Sequence, residues 1–463
     1  MEISDLKKNK MRTMPVGKLL TTMAIPLVLS MLVQALYNVV DSIYVSRISQ
    51  NAVTALSLAF PIQNLQIGFA TGIAVGMNSF LSKSLGEGNQ ERANRSAGNG
   101  ILLMLVAVAL FMLFGFFGAT PFYTMQTDEA EVVNGAISYT SICCIYTVGI
   151  FVEVLGERLL QASGRTIYTL FTQGTGAVLN IILDPLFIFG YEPLGIAPMG
   201  IAGAAVATVI GQWVAAILAV IFNFTSNPDV QFGFKYFKPD GFIISKILAV
   251  GIPSVIMMAI GSVMNFGMNQ ILLGFGALGL TGSAVFGLYF KLQSFFFMPV
   301  FGLNNASVSI LAFNYGARQP DRIIRTLRFS LVMILGVMLL GVAAFQLAPE
   351  ALMGIFADAK DTANTQFIAL GVDALRTISL AFPMAAVGIA LSASFQALGI
   401  GIYSTITSLS RQLIVLLPVA YLMSLTGNIH NVWWAFPIAE VVSLIVSVFF
   451  FVRIYRLRIK PLY

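Results

Sequence analysis

Apolar positions in this chain cluster into long runs separated by short polar stretches, and about 20 mostly apolar residues are what a helix needs to cross a bilayer. Twelve such runs stand near 19–46, 52–80, 97–120, 132–160, 166–190, 199–224, 247–274, 280–312, 329–348, 365–396, 401–425 and 430–452. The expected fold class is therefore an all-α membrane protein with twelve transmembrane helices. Several runs exceed 25 residues, which predicts tilted or kinked helices that project past the bilayer. Pro26, Pro253, Pro299 and Pro383 are the expected kink points.

The two halves of the pattern repeat. Ala24-Ile25-Pro26 opens the first run and Gly251-Ile252-Pro253 the seventh. After the second run, residues 85–92 correspond to 315–322, and Arg95 matches Arg325 at the same offset of 230. Gln161-Ala162-Ser163-Gly164 and Tyr168 match Gln396-Ala397-Leu398-Gly399 and Tyr403 at an offset of 235. Six spans per half is an even number, so the halves point the same way, an arrangement in which a transport site lies between two lobes near the midplane. The expected division is an N-terminal lobe over 1–224, a cytoplasmic linker over 225–246 rich in turn formers, and a C-terminal lobe over 247–463.

Charge sets the orientation. If the N-terminus is cytoplasmic, 21 of the 26 Lys and Arg residues fall on inside segments, with Arg47 and Lys360 outside and Lys291, Arg376 and Arg411 within spans. This bias predicts a multi-pass protein of the bacterial cytoplasmic (inner) membrane with both termini cytoplasmic. The net charge of +6 is then a topology signal and not a nucleic-acid footprint. The N-terminus has the basic start of a signal peptide, but its apolar run is about twice the usual length and no small-residue cleavage site closes it, so it is read as the first helix. Charged residues make up only 10% of the chain, so each charge inside a span carries information. Cys143 and Cys144, adjacent in an apolar run, read as packing. The single histidine, His430, sits in an expected loop, leaving no His/Cys metal framework. No catalytic motif is present and the Gly-rich loops lack a phosphate-binding Lys-Ser/Thr signature, so an enzyme is not expected.

Six acids lie within spans: Asp41, Glu153, Glu157, Asp184, Asp373 and Glu440. Asp41 and Asp184 stand about five and six residues from the outer ends of the first and fifth helices, so their carboxyls share a depth roughly 8–9 Å below the outer boundary. Asn180 is one turn from Asp184 on the same face. Gln34, Asn38 and Asp41 form a polar stripe with Tyr37 beside them, and the sixth helix brings Thr208 and a local carbonyl to comparable depth along a small-residue face. Two carboxylates, an amide oxygen and a hydroxyl suit Na⁺, or protons shared between carboxylates. The second half lacks the counterpart, reading Leu417-Pro418 for Asp184-Pro185 and Met268-Asn269 near the place of Asp41. Elsewhere, Asp373 and Arg376 are expected to pair at i, i+3, and Glu157 is expected at the membrane interface beside Arg158. Glu153, Lys291, Arg411 and Glu440 remain open as substrate contacts. Met257 and Met268, with Met258 and Met264, suit an adaptable pocket wall or ordinary packing, and Asn265 on the same helix is a further cleft candidate.

The stretch Asn180-Ile181-Ile182-Leu183-Asp184-Pro185-Leu186-Phe187-Ile188-Phe189-Gly190, followed by Gly200 through Thr208, resembles the multidrug and toxic compound extrusion (MATE) family. Tyr37-Asn38-Val39-Val40-Asp41, Gly86-Glu87-Gly88-Asn89 and Asn314-Tyr315-Gly316-Ala317 are similar too, and the likeness covers essentially the whole chain, nearest to the small bacterial exporters. The resemblance implies two six-helix lobes around a V-shaped cleft and extrusion of cationic, lipophilic compounds in exchange for Na⁺ or H⁺, by a monomer surrounded by membrane lipids. It places the cation site at Asp41, Asn180, Asp184 and Thr208 with the Ala204 carbonyl nearby. It implies no cofactor and no metal beyond that Na⁺. One branch of the family carries a glutamate in the seventh helix where this chain has Gly261, which favours coupling through the first lobe. A lipid-linked-sugar flippase of the same superfamily is the alternative, but Lys291, Arg376 and Arg411 are its only candidate phosphate contacts.

Overall fold

The computed structural model describes residues 10–126, 128–354 and 362–463, and their side chains except those at 38, 39, 42, 46, 50, 194 and 362–364. Lys360 and the Asn38 side chain, named above, lie outside the described residues. Helices account for nearly all of the description. They are α1 (Val16–Ser46), α2 (Gln50–Gly86), α3 (Gln90–Thr124), the bent pair α4a (Ala130–Ile145) and α4b (Val148–Ala162), α5 (Ile167–Ile188) and α6 (Ile201–Ser226). The second half follows as α7 (Gly241–Leu273), α8 (Ala277–Gly316), α9 (Pro320–Leu347), the bent pair α10a (Thr362–Ser379) and α10b (Phe382–Ala397), α11 (Gly401–Ser424) and α12 (Ile429–Leu462). Ten are single helices apolar enough to span, and each bent pair, turned by 48°, completes twelve when it crosses once. Exposed Val106, Leu340, Ile445 and Phe449 lie on the outer faces, where acyl chains and not water would cover them.

Helix starts follow local chemistry. Ser49, Asn89 and Asp240 each accept a backbone N–H of the first turn of α2, α3 and α7. The two bends share one device. A broken helix leaves carbonyls without intrahelical donors. In α4 the Gln66 amide reaches across from α2 to the Cys143 carbonyl (3.1 Å) and to the Thr147 hydroxyl. In α10 the Gln346 amide on α9 donates to the Arg376 carbonyl (2.8 Å) and to Ser379 Oγ (3.0 Å).

The sequence repeat reappears as a two-fold contact. A methyl group added at Gly86 would collide with the Phe313 carbonyl, and one added at Gly316 with the Lys83 carbonyl, each contact being the other shifted by 230 residues. The same relation links Gly72, seated on Gly251 and Val255 of α7, to Gly302, seated on Leu27 and Val28 of α1. Gly76 lies equally close to the Ile247 carbonyl. Small residues thus let the backbones of the halves touch. The Asn78 amide donates to Ser309 Oγ at 3.1 Å and the Ser79 hydroxyl to the Gln396 carbonyl at 2.7 Å, with all four side chains buried. These contacts gather at one end of the molecule, which we call the closed end.

The first and last described residues belong to it. Arg322 at the start of α9 donates to the carbonyls of Met11 and Met14, both at 2.9 Å, and the Tyr463 hydroxyl donates to Asp321. Lys10 packs beside an Arg165–Asp229 ion pair of 3.7 Å. Burial there lowers the pKa of the Lys10 ammonium, with the neighbouring Arg165 adding to the fall, and burial raises that of the Asp229 carboxyl. Single cysteines at Asn89 and Gln319, near this end, are expected to be labelled only from the cytoplasm in a variant without Cys143 and Cys144. Cysteines at Asp128 and Glu192 should react only from outside. Labelling of positions 89 and 128 from one side would overturn the twelve-crossing topology.

The described elements differ from the sequence reading in extent. The second helix, expected over 52–80, runs to Gly86, because Ser82 and Ser84 are fully buried at the closed end and stay helical. The fourth and tenth spans, expected as single runs, are each broken.

Candidate cation and substrate site

Asp184 is fully buried on α5, which packs between α1 and α6. Asn180, one turn earlier, links it to α6. The amide nitrogen donates to Asp184 Oδ2 at 3.0 Å, while the amide oxygen accepts from the Thr208 hydroxyl at 3.2 Å and from the Thr208 backbone N–H at 3.1 Å. Ala204 precedes Thr208 by one turn and is buried. The Asp41 carboxyl on α1 comes within hydrogen-bonding reach of Asp184. Its Oδ1 is buried and has no hydrogen-bond partner. Asp41, Asn180, Asp184 and Thr208 therefore lie together, with Ala204 beside them. Tyr37, half-buried, belongs to the same neighbourhood, as does Glu153 of α4b.

Two carboxyls side by side with one orphaned oxygen form an incomplete arrangement. A buried polar atom without a partner costs about 1–3 kcal/mol, and the like charges of two carboxylates add repulsion. A proton or a monovalent cation held between them removes both penalties. In this state the Asn180 amide acts as a spacer joining Asp184 to Thr208, since both of its polar atoms are engaged with protein.

The remaining candidates divide. Gln34 is half-buried on α1. Met257 is half-buried on α7, and the Asn265 amide donates to its own helix at the Gly261 carbonyl, 3.0 Å away. Met268 is not in a cleft wall. It is fully buried with Leu272, Val285 and Phe286 in the core of the second half, because positions 264, 268 and 272 form the inward face of α7. Lys291 on α8 is exposed.

Three expectations about titratable residues are also not met. Asp373 and Arg376 do not pair with each other. Asp373 contacts His430 Nδ1 at 2.7 Å and Arg376 pairs with Glu350 at 3.1 Å, because the start of α12 and the short helix Pro349–Gly354 bring these partners closer. His430 itself lies in a helical turn, Ile429–Val432. Glu157 is not interfacial. It is buried, accepting from Thr172 (2.6 Å) and Gln173 (2.8 Å) of α5. The fourth feature was left open by the sequence. Arg411, in a π-helical stretch of α11 (Ser410–Leu416), pairs with Glu440 of α12 at 3.0 Å. Gly261, where a coupling glutamate stands in one branch of the MATE family, faces the neighbouring Gln412. The second half thus carries an Arg411–Glu440 ion pair, while Leu417 and Met268 stand at the repeat positions of Asp184 and Asp41. A cavity of about 390 Å³ between α9, α10b and α12 is lined by Leu327, Leu331 and Phe451, away from this chemistry.

The sequence profile of the MatE family matches residues 26–186 and again 253–422. The chain belongs to the MatE family. The double match, beginning at Pro26 and at Pro253, is the internal repeat. The chain is 22% identical over 436 residues to the multidrug export protein MepA of Staphylococcus haemolyticus (strain JCSC1435), covering 94% of this chain and 92% of that relative. It superposes with a TM-score of 0.90 at 25% identity on a crystal structure of MATE in complex with MaL6, over 98% of this chain and 99% of the other. An outward-facing multidrug resistance MATE family transporter of the MOP superfamily gives a TM-score of 0.89 at 26% identity, over 98% of both chains. MATE membership makes this a multi-pass membrane transporter with the two-repeat fold.

Proposed function

We propose that this MATE protein is a secondary active multidrug exporter that exchanges cationic, lipophilic compounds for H⁺ or Na⁺ by alternating access. The coupling ion binds at Asp41 and Asp184, with Asn180, Thr208 and the Ala204 carbonyl completing the site. The observation that carries this reading is the adjacent Asp41 and Asp184 carboxyls in the first half alone, with a buried Asp41 oxygen left unpartnered. Among the described residues no three His, Cys, Asp or Glu converge as a metal cage, which fits a proton or a monovalent ion better than a divalent one. The protein works as a monomer in the bacterial cytoplasmic membrane with both termini inside, and needs no cofactor. The lobes over 1–224 and 247–463 move against one another about the closed-end contacts, joined by the linker over 225–246. Substrate occupies the cleft between them, against Gln34, Tyr37 and Asn38 of α1 and Met257 and Asn265 of α7.

The test is uptake of a fluorescent lipophilic cation by proteoliposomes under separately imposed Na⁺ and H⁺ gradients. One gradient should drive accumulation against the dye's own gradient. Transport that neither gradient accelerates would overturn the exchange mechanism.

A further inference from the structure

Lys291 stands apart from the other intramembrane cations of the second half. Arg376 is paired with Glu350 and Arg411 with Glu440, whereas the described residues give the Lys291 ammonium no hydrogen bond or ion pair. A phosphate-rich headgroup would therefore meet one free cation here and not a cluster. The direction in which Lys291 faces follows from α8 itself. Ala284, Gly287, Lys291 and Phe295 are exposed at helical spacing, while Val285, Phe286, Leu288, Tyr289 and Leu292 between them are buried. Gly302, itself buried, lies on the same side of α8 three turns on, and it is the residue seated on Leu27 and Val28 of α1 in the other half. Lys291 thus lies on the face of α8 that looks across the cleft, not on the face that meets lipid.

Its depth follows as well. Eleven residues separate Lys291 from the Gly302 contact, about 16 Å of helix. The helices run antiparallel, so the same number of residues along α1 from Val28 ends at position 39, within the polar stretch 34–41 that contains Asp41. The two-fold mate of Lys291, 230 residues earlier, is Pro61, so the ammonium exists on one wall only. The cleft is polarised across its width, with the half-buried Asp41 on the first-half side and an ammonium on the second.

Resting on the exporter reading, we infer that Lys291 is a carboxylate subsite in the substrate cleft, and that the ligands it selects are zwitterionic amphiphiles carrying a carboxylate beside their positive group. A simple anion at Lys291 would face the Asp41 carboxyl of the opposite wall, and a simple cation would face the ammonium. A ligand with both charges is compensated on both sides, and a charge-assisted hydrogen bond from the ammonium fixes its orientation.

The experiment measures binding by fluorescence polarisation, at neutral pH, to the purified full-length protein. The ligands are a rhodamine with a free benzoate carboxyl and the methyl ester of the same rhodamine, which differ only in that charge. Wild type should bind both. Lys291→Met should lower affinity for the free acid roughly tenfold, as expected for losing one charge-assisted contact, and leave the ester unchanged or tighter. Lys291→Arg should keep the preference. Equal loss of both dyes in Lys291→Met, or no change in either, would overturn the carboxylate subsite. Wild-type binding of the ester alone would also overturn it while leaving the exporter reading intact. Failure to bind either dye, together with no gradient-driven uptake in proteoliposomes, would remove both.

Discussion

Asp184→Asn is expected to reduce gradient-driven efflux to background while the protein still inserts, purifies and binds drug. The carboxamide keeps the size and the hydrogen bond from Asn180 but can neither accept a proton nor carry the charge that attracts a cation. Because Asp184 is fully buried, no water can take over the role. Asp41→Asn should lose coupling too, since its orphaned oxygen faces the same ion. Neither change should weaken the fold, because each removes one of two like charges held together out of water. A melting temperature at or above that of the wild type would accompany the lost transport. Asp373→Asn provides the contrast. Its pair with His430 is about half exposed, with 42% and 49% of the side-chain surfaces accessible. Such a pair contributes about 0–1 kcal/mol, so efflux should fall only slightly. Wild-type rates in both Asp41→Asn and Asp184→Asn would eliminate the proposed coupling site.

The second large effect concerns the closed end. Gly86→Val and Gly316→Val each place atoms where a backbone carbonyl of the other half already stands, and backbone cannot move aside as a long side chain can. Overpacking costs typically 1–3 kcal/mol, here charged to the state in which the halves touch. The population of that state should fall by about tenfold or more, since each 1.4 kcal/mol is a factor of ten. Cysteines replacing the hydrogen-bonded Asn78 and Ser309, in a background without Cys143 and Cys144, report it. Crosslinking should be efficient in that background and strongly reduced when Gly86→Val is added, with efflux lost in parallel. Gly174→Val is the control, because nothing lies within 4 Å of the added group. Equal crosslinking with and without Gly86→Val would contradict the tight two-fold contact.

The spans were legible because a bilayer demands long apolar runs, and the repeat because loop motifs kept register at an offset of 230. The convergence of Asn180 and Asp184 was legible from helical spacing alone, and a shared depth placed Asp41 beside them. What periodicity could not supply was direction around a helix. Met268 and Lys291 both sit in apolar runs of the second half, yet one is buried in the core and the other is exposed. Pairings across the chain were equally hidden. Arg376 has an acid at i−3, so local spacing named Asp373, while the true partner, Glu350, stands on the separate short helix Pro349–Gly354. Arg411 and Glu440 lie on different helices, 29 residues apart. The bends themselves carry a signal that could have been sought: Gln66 and Gln346, polar amides in apolar runs, are each needed to satisfy a carbonyl freed by a break in the neighbouring helix.

The central claim is that drug and coupling ion compete through Asp41 and Asp184. A ligand shifts a conformational equilibrium only by its difference in affinity between states, and linkage makes the effect mutual. If the cation binds best when α1, α5 and α6 are packed tightly, its binding leaves less room for substrate in the first half, with Pro26 giving α1 a place to bend. The direct measurement is the affinity of a lipophilic cation for the purified protein across pH and Na⁺ concentration, in wild type and in Asp184→Asn. Affinity should fall as protons or Na⁺ bind the wild type, and that dependence should largely vanish in Asp184→Asn. The same dependence in both proteins would contradict the account.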